Sequence, residues 1–109
     1  MSIPTGLLMQ TIYHFTTRHE WESSLGSGQH VSPSLFDEGF IHCCTSDQVS
    51  TITQHYFSGR TDTLILEIDT RVLRSQLVYE WSTRLEQTFP HIYGPINTDA
   101  VIEVRPTMS

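Results

Sequence analysis

The stretch Glu38-Gly39-Phe40-Ile41-His42-Cys43-Cys44-Thr45 limits what this chain can fold into more than any other. Phe40 to Cys44 is an apolar run with one imidazole inside it, and it reads as a short strand. Thr45-Ser46-Asp47-Gln48 then has the spacing of a capping box, so the strand runs straight into a helix. Alternate strand residues face the same way. Phe40, His42 and Cys44 therefore share one face, and Ile41 and Cys43 share the other. A histidine at a strand end, beside a helix N-terminus, suits a small anionic or polar ligand. A core histidine bonded to backbone is the competing reading of this stretch alone.

The other elements follow from periodicity. Ile12-Tyr13-His14-Phe15 alternates as a strand, with Ile12 and His14 on one face. Thr17 and Glu20 form a second capping box, opening a short helix in which Trp21 and Leu25 are four apart. Gly26-Ser27-Gly28 ends it. Residues 29–38, with Pro33, read as a surface loop. Val49, Ile52, Thr53, Tyr56 and Phe57 form the apolar stripe of the clearest helix, ended by Gly59. Strands follow over 63–69, 77–81 and 100–104. Residues 82–90 are polar and ambiguous, and residues 89–95 read as a stiff aromatic loop. This order predicts an α+β fold, a mixed β-sheet with two helices packed on it. It predicts one domain over 11–106 behind a loose lead-in over 1–10.

Charge and cysteine usage narrow the function classes. All six basic residues are Arg, and the formal charge is −6. A chain without Lys has no Schiff-base or P-loop lysine, and an acidic one lacks the extended basic surface of a nucleic-acid binder. Contact with a single nucleotide remains open. No apolar run approaches the roughly 18–20 residues of a membrane span. Residues 1–9 lack a basic region and a long apolar core, so no signal peptide is expected. Cys43 and Cys44 are adjacent on a strand, where a bond between them would be strained. Both read as reduced thiols of a cytoplasmic protein.

Candidate site residues come from histidines in apolar contexts. His14, His42 and His91 meet that description. His19, His30 and His55 sit among polar neighbours and read as solvated. The 89–95 loop holds His91 and Tyr93 on a frame stiffened by Pro90 and Pro95, while Gly94 allows close backbone approach. Phe89 and Ile92 read as core plugs. Cys44, near a helix N-terminus, could form a nucleophile pair with His91, or it could be a small buried hydrophobe. No C-x-x-C or H-x-x-x-H spacing exists, so no metal site is predicted.

Several of these stretches together carry a family resemblance. They are Ile12-Tyr13-His14, Glu38 to Cys43, Gln48-Val49, Leu66-Glu67-Ile68-Asp69, Tyr79-Glu80 and Phe89 to Ile96. The chain resembles an uncharacterised bacterial-type family, domain of unknown function 952, over residues 11–105. Its hallmarks are Y-H near the start, G-F-I-H-C-S in the middle and F-P-H-x-Y-G near the end. Cys44 departs from the pattern, standing where the family has Ser. The resemblance implies a fold similar to that of ADP-ribosyltransferases, with NAD as substrate and no other cofactor. It puts His14 on the ribose. It puts His42 to Thr45, including Cys44, on the second strand, and His91 and Tyr93 near the third motif. Glu80 and Glu103 are the nearest candidates for a catalytic glutamate.

These readings converge on a histidine-lined cleft for NAD or a related phosphoribosyl nucleotide. His42, His91 and Glu80 are the expected catalytic groups. His14, Tyr13, Cys44, Thr45, Tyr93 and Gly94 are the expected ligand-binding groups. The tyrosines would stack a planar base, and Glu80 would stabilise an oxocarbenium-like state. A second reading is a two-histidine phosphoesterase acting on cyclic phosphates, from the loose match of His14-Phe15-Thr16 and His42-Cys43-Cys44 to paired H-x-T/S motifs. A third is a module without catalysis that binds a metabolite or peptide. The oligomeric state is left open.

Overall fold

The computed structural model describes residues 11–107, so the expected lead-in over 1–10 lies outside the described residues. Strand β1 (Thr11–Thr17), β4 (Thr63–Asp69) and β8 (Val101–Pro106) form a three-stranded sheet with β4 in the middle. Strand β3 (Ile41–His42), β6 (Gln87–Tyr93) and β5 (Gln76–Ser82) form a second, with β6 in the middle. A short ribbon pairs β2 (Gln29–His30) with β7 (Ile96–Asn97). The α+β class is as expected. The mixed sheet is not: every described ladder is antiparallel. The turn over 83–86 shows one reason, since strands joined so tightly can only pair antiparallel.

Alternation along β1 and β4 builds two cores on opposite faces of the first sheet. Ile12, Leu66 and Ile68 pack with Ile41, Cys43, Ile92 and Ile96 in the larger core. Tyr13 and Ile65 pack with Cys44 and Phe89 in the smaller. The adjacent cysteines thus enter different cores, both as free thiols.

The helices are shorter and more numerous than expected. Helix α1 (Arg18–Ser24) starts where Thr17 Oγ1 accepts the Glu20 N–H at 3.1 Å. Trp21 packs on the larger core, whereas Leu25 turns out to be exposed. The segment read as a loop over 29–38 contains β2 and helix α2 (Pro33–Asp37). Pro33 lies in the first turn of α2, where its missing N–H costs nothing. The clearest sequence helix is irregular. A 3₁₀ turn (Ser46–Gln48) leads into α3 (Val49–Ile52), and a π-type turn (Thr53–Phe57) closes it. Thr51, Ile52 and Thr53 are β-branched, and the Thr53 hydroxyl donates back to the Val49 carbonyl at 2.8 Å. The expected start is kept, with Gln48 Oε1 accepting the Thr45 N–H at 2.9 Å.

The stretch expected as a stiff loop over 89–95 is mostly strand: β6 runs through Pro90 to Tyr93. A proline in a central strand removes one ladder bond. Here the loss is placed at the end of a ladder. The Cys43 N–H donates to the Pro90 carbonyl at 3.0 Å. Pro90 has no N–H to return, so β3 stops at His42. The chain leaves β6 after Cys43 and crosses to β1, where Tyr13 and Cys44 exchange two backbone bonds of 2.8 Å each.

Gly94 follows β6 and fills a position with no room for a side chain. A Cβ there would lie 2.5 Å from Ser75 Oγ and 3.0 Å from Ser75 Cβ. Ser75 is itself fixed, donating to the Pro95 carbonyl at 2.6 Å. Gly94→Ala should therefore destabilise the fold by about 1–3 kcal/mol, a fall in Tm of at least about 4 °C. Ser75→Gly in the same chain should recover part of the loss, a coupling that a double-mutant cycle reads. Equal melting of Gly94→Ala and wild type would remove the steric account.

Candidate functional site

His42 and His91 stand directly opposite each other in the β3–β6 ladder. The neighbouring Cys43–Pro90 position is hydrogen-bonded, so theirs is of the non-bonded type, where facing side chains stand closest. The imidazole centroids are 5.3 Å apart. Each ring has its own carboxylate. His91 Nδ1 lies 2.7 Å from Glu80 Oε1, and His42 Nε2 lies 3.1 Å from Glu38 Oε2. His91 thus carries its proton on Nδ1 when neutral and keeps Nε2 as the free basic nitrogen. Phe40 stacks on His91 with centroids 4.1 Å apart and planes 18° apart. Glu38 folds back onto His42 across Gly39, whose φ of +92° is a left-handed value that other residues rarely adopt.

Glu80 is held from two sides. The Tyr93 hydroxyl donates to Glu80 Oε1 at 2.5 Å, and His91 meets the same oxygen. Those two bonds, Tyr93 first, hold the Glu80 carboxyl below its ordinary range. The same contact pushes the Tyr93 phenol up.

The pair opens into a cleft of about 670 Å³. Of the residues expected at the site, His14, His42, Cys44 and His91 line it. Glu80 and Tyr93 stand behind His91 and do not. Tyr13, Thr45 and Gly94 are also absent from the lining. Tyr13 is buried in the smaller core, under the Arg105 guanidinium. Thr45 sits at the helix start, its hydroxyl on Asp47. Gly94 packs against Ser75. Glu103, the other glutamate considered, pairs with Arg105 on β8.

His14 occupies the inner wall, only 4% exposed. Its Nδ1 lies 2.7 Å from the His42 carbonyl oxygen and so donates to it, while Nε2 is buried without a partner. Burial first, and the nearby His30 second, lower its pKa to about 3. It is a neutral imidazole with an unused acceptor. His30, expected to be solvated, is fully buried instead, 5.5 Å from His14 and 5.8 Å from Trp21, with both ring nitrogens unpartnered. Burial lowers its pKa too, against a raising influence from Glu20. Its polar sequence neighbours concealed this, because β2 gives it an inward face that a loop would not. Cys44 shows the reverse of the activated thiol considered above. Burial and then Asp47 push it up to about 12, so it stays protonated at neutral pH.

Sequence reasoning missed several lining groups. Phe15 and Phe57 stack at 4.7 Å, and Trp81, 64% exposed, and Tyr56 add further aromatic surface. Arg84 supplies a guanidinium, while Glu20 and Glu38 supply carboxylates. Arg84 lies in the polar stretch that had no assignable structure. The four-residue spacing of Glu38 and His42 was the one available signal for that pair. Among the described residues, no group of three or more His, Cys, Asp or Glu is arranged to hold a metal ion.

The two buried histidines make stability depend on pH. An unfolded histidine titrates near 6.5, whereas native His14 does so at about 3. Below pH 6.5 the unfolded chain binds protons that the native chain refuses, so stability falls as pH drops. Between pH 7 and 5 the loss from His14 alone should be about 2 kcal/mol. That window lies above the lowered carboxyl of Glu80, whose contribution disappears only at more acid pH. Urea midpoints measured from pH 7 to 5 should fall for wild type and less steeply for His14→Asn. A flat wild-type profile would contradict the buried, neutral pair.

No curated protein matches the chain. The fold is similar to the crystal structure of protein CC0527 from Caulobacter crescentus, with a TM-score of 0.79 and 27% identity, covering 88% of this chain and 84% of that one. The solution NMR structure of CC0527 gives 0.73 and 28%, covering 88% and 83%. The model of a family described as "Protein of unknown function (DUF952)" matches residues 15–104, and the chain belongs to that family.

Proposed function

We propose that the cleft binds NAD or a related phosphoribosyl nucleotide, and that the protein is a small ADP-ribosyltransferase-like enzyme. The observation that carries this reading is the neutral, buried His14, which lines a roomy cleft and whose buried Nε2 has no protein partner. An orphaned buried acceptor costs about 1–3 kcal/mol, and a ribose hydroxyl would satisfy it. The aromatic walls suit a planar base or nicotinamide. Arg84 is the group for a diphosphate.

Breaking the nicotinamide–ribose bond develops positive charge on the ribose. Glu20 and Glu38 line the cleft and are the carboxylates that can meet it. Glu80 acts through His91, orienting the ring so that Nε2 can take a proton from the acceptor. Cys44, held as a thiol, takes no nucleophilic part. Two reduced buried cysteines suit a reducing compartment, and we place the protein in the cytoplasm on that ground. No helix among the described residues is long and apolar enough to cross a membrane.

Calorimetry with NAD and with ADP-ribose tests the reading. Binding to wild type is expected, with Tm rising as ligand is added. His14→Asn should weaken binding about tenfold, the loss of roughly one hydrogen bond. His19→Asn, exposed and outside the cleft lining, should bind as wild type does. Absence of heat and of a melting shift with both ligands would end the nucleotide reading.

A further inference from the structure

We propose that the His42–His91 pair is an acid–base catalyst that hydrolyses nucleoside 2′,3′-cyclic phosphates. This uses the cleft of the preceding reading but does not need NAD. Opening a cyclic phosphate by water requires one group to take a proton and another to give one, on opposite sides of a single phosphorus. Two imidazoles 5.3 Å apart on one sheet face, each oriented by its own carboxylate, supply that requirement.

The roles follow from which nitrogen each carboxylate holds. Glu80 holds His91 at Nδ1, leaving Nε2 as base. Glu38 holds His42 at Nε2, so a His42 imidazolium presents its Nδ1–H as acid. His91 Nε2 takes a proton from water as the water oxygen bonds to phosphorus. The bond from phosphorus to one ribose oxygen breaks, and that oxygen takes the His42 Nδ1 proton. One water is consumed, no electrons are transferred, and the product is a nucleoside monophosphate. Solvent then returns both rings to their starting states.

The charges select the size of substrate. Arg84 is the guanidinium of the cleft, against the carboxylates of Glu20 and Glu38, in a chain of net charge −6. A cyclic mononucleotide brings a single negative charge. A polymer brings one per phosphate and would meet repulsion along the surface. Exposed Trp81 gives the base a stacking surface.

The test incubates the full chain with 2′,3′-cyclic AMP and follows ring opening by phosphorus NMR. Wild type should open the ring faster than buffer, with a bell-shaped pH dependence. His91→Asn and His42→Asn should each lose about a hundredfold or more. His91→Asn should also lose the acidic limb, and His42→Asn the alkaline limb. Glu80→Gln should slow the reaction and keep both limbs, as expected of a positioning residue. His42 is 55% exposed, so its variant should melt as wild type does. Ring opening no faster than buffer overturns the proposal, as do histidine variants with wild-type rates. NAD binding on the same samples separates the two readings. Turnover without NAD binding keeps this proposal and removes the NAD reading, and NAD binding without turnover does the opposite.

Discussion

The two backbone bonds between Tyr13 and Cys44 hold the site together, because they join the two three-stranded sheets. They form just past the point where Pro90, with no N–H to return, ends the β3–β6 ladder. A residue with an N–H at position 90 could bond back to Cys43 and keep it on β6. The crossing then fixes the neighbours on either side. His14 follows Tyr13 and reaches the His42 carbonyl, while His42 stays opposite His91. Three imidazoles from β1, β3 and β6 thus share one cleft through one truncated ladder and one bridge.

Much of the strand framework was legible, because alternation and β-branched content are local. The span Thr63–Asp69 matches β4 to the residue, and the thiols on either side of the Cys43–Cys44 step enter different cores as strand periodicity demands. What failed depended on tertiary context. The apolar stripe from Val49 to Phe57 predicted a regular helix, but a β-branched run and the Thr53–Val49 back-bond altered its winding. Pro90 argued for a loop, since a proline in a central strand is tolerated only where its missing bond is harmless. That harmlessness depends on where the partner strand ends, which is not written in residues 89–95.

The site was legible in its histidines and obscure in its supports. His14, His42 and His91 stood out by apolar context, and all three line the cleft. Glu38 and Phe40 lay in the opening stretch but were given no role at the site, and Arg84 lay in the polar stretch over 82–90. Tyr93 and Glu80 were singled out as groups facing a ligand, yet they bond to each other behind His91. His30 was lost to its polar neighbours. Local composition reports the average surroundings of a loop and says little about one inward-facing residue in a two-residue strand.

The two facing histidines differ in how firmly they are held, and that difference bears on their chemistry. His91 is confined by Glu80 at Nδ1, by Phe40 over its ring, and by strands on both sides of β6. Its side chain is 15% exposed, and its free nitrogen has one direction to face. His42 sits on a two-residue edge strand, 55% exposed, against a carboxylate that is itself 50% exposed. Water screens that pair more than the His91–Glu80 pair, so Glu38 holds its ring less firmly than Glu80 does. A base that must meet a reacting atom in one geometry gains from confinement. Both rings must exchange a proton with solvent between turnovers, and the exposed His42 does so with less obstruction. The unequal burial of two otherwise matched histidines therefore fits the proposed division of labour, with the confined His91 as the base and the exposed His42 as the acid.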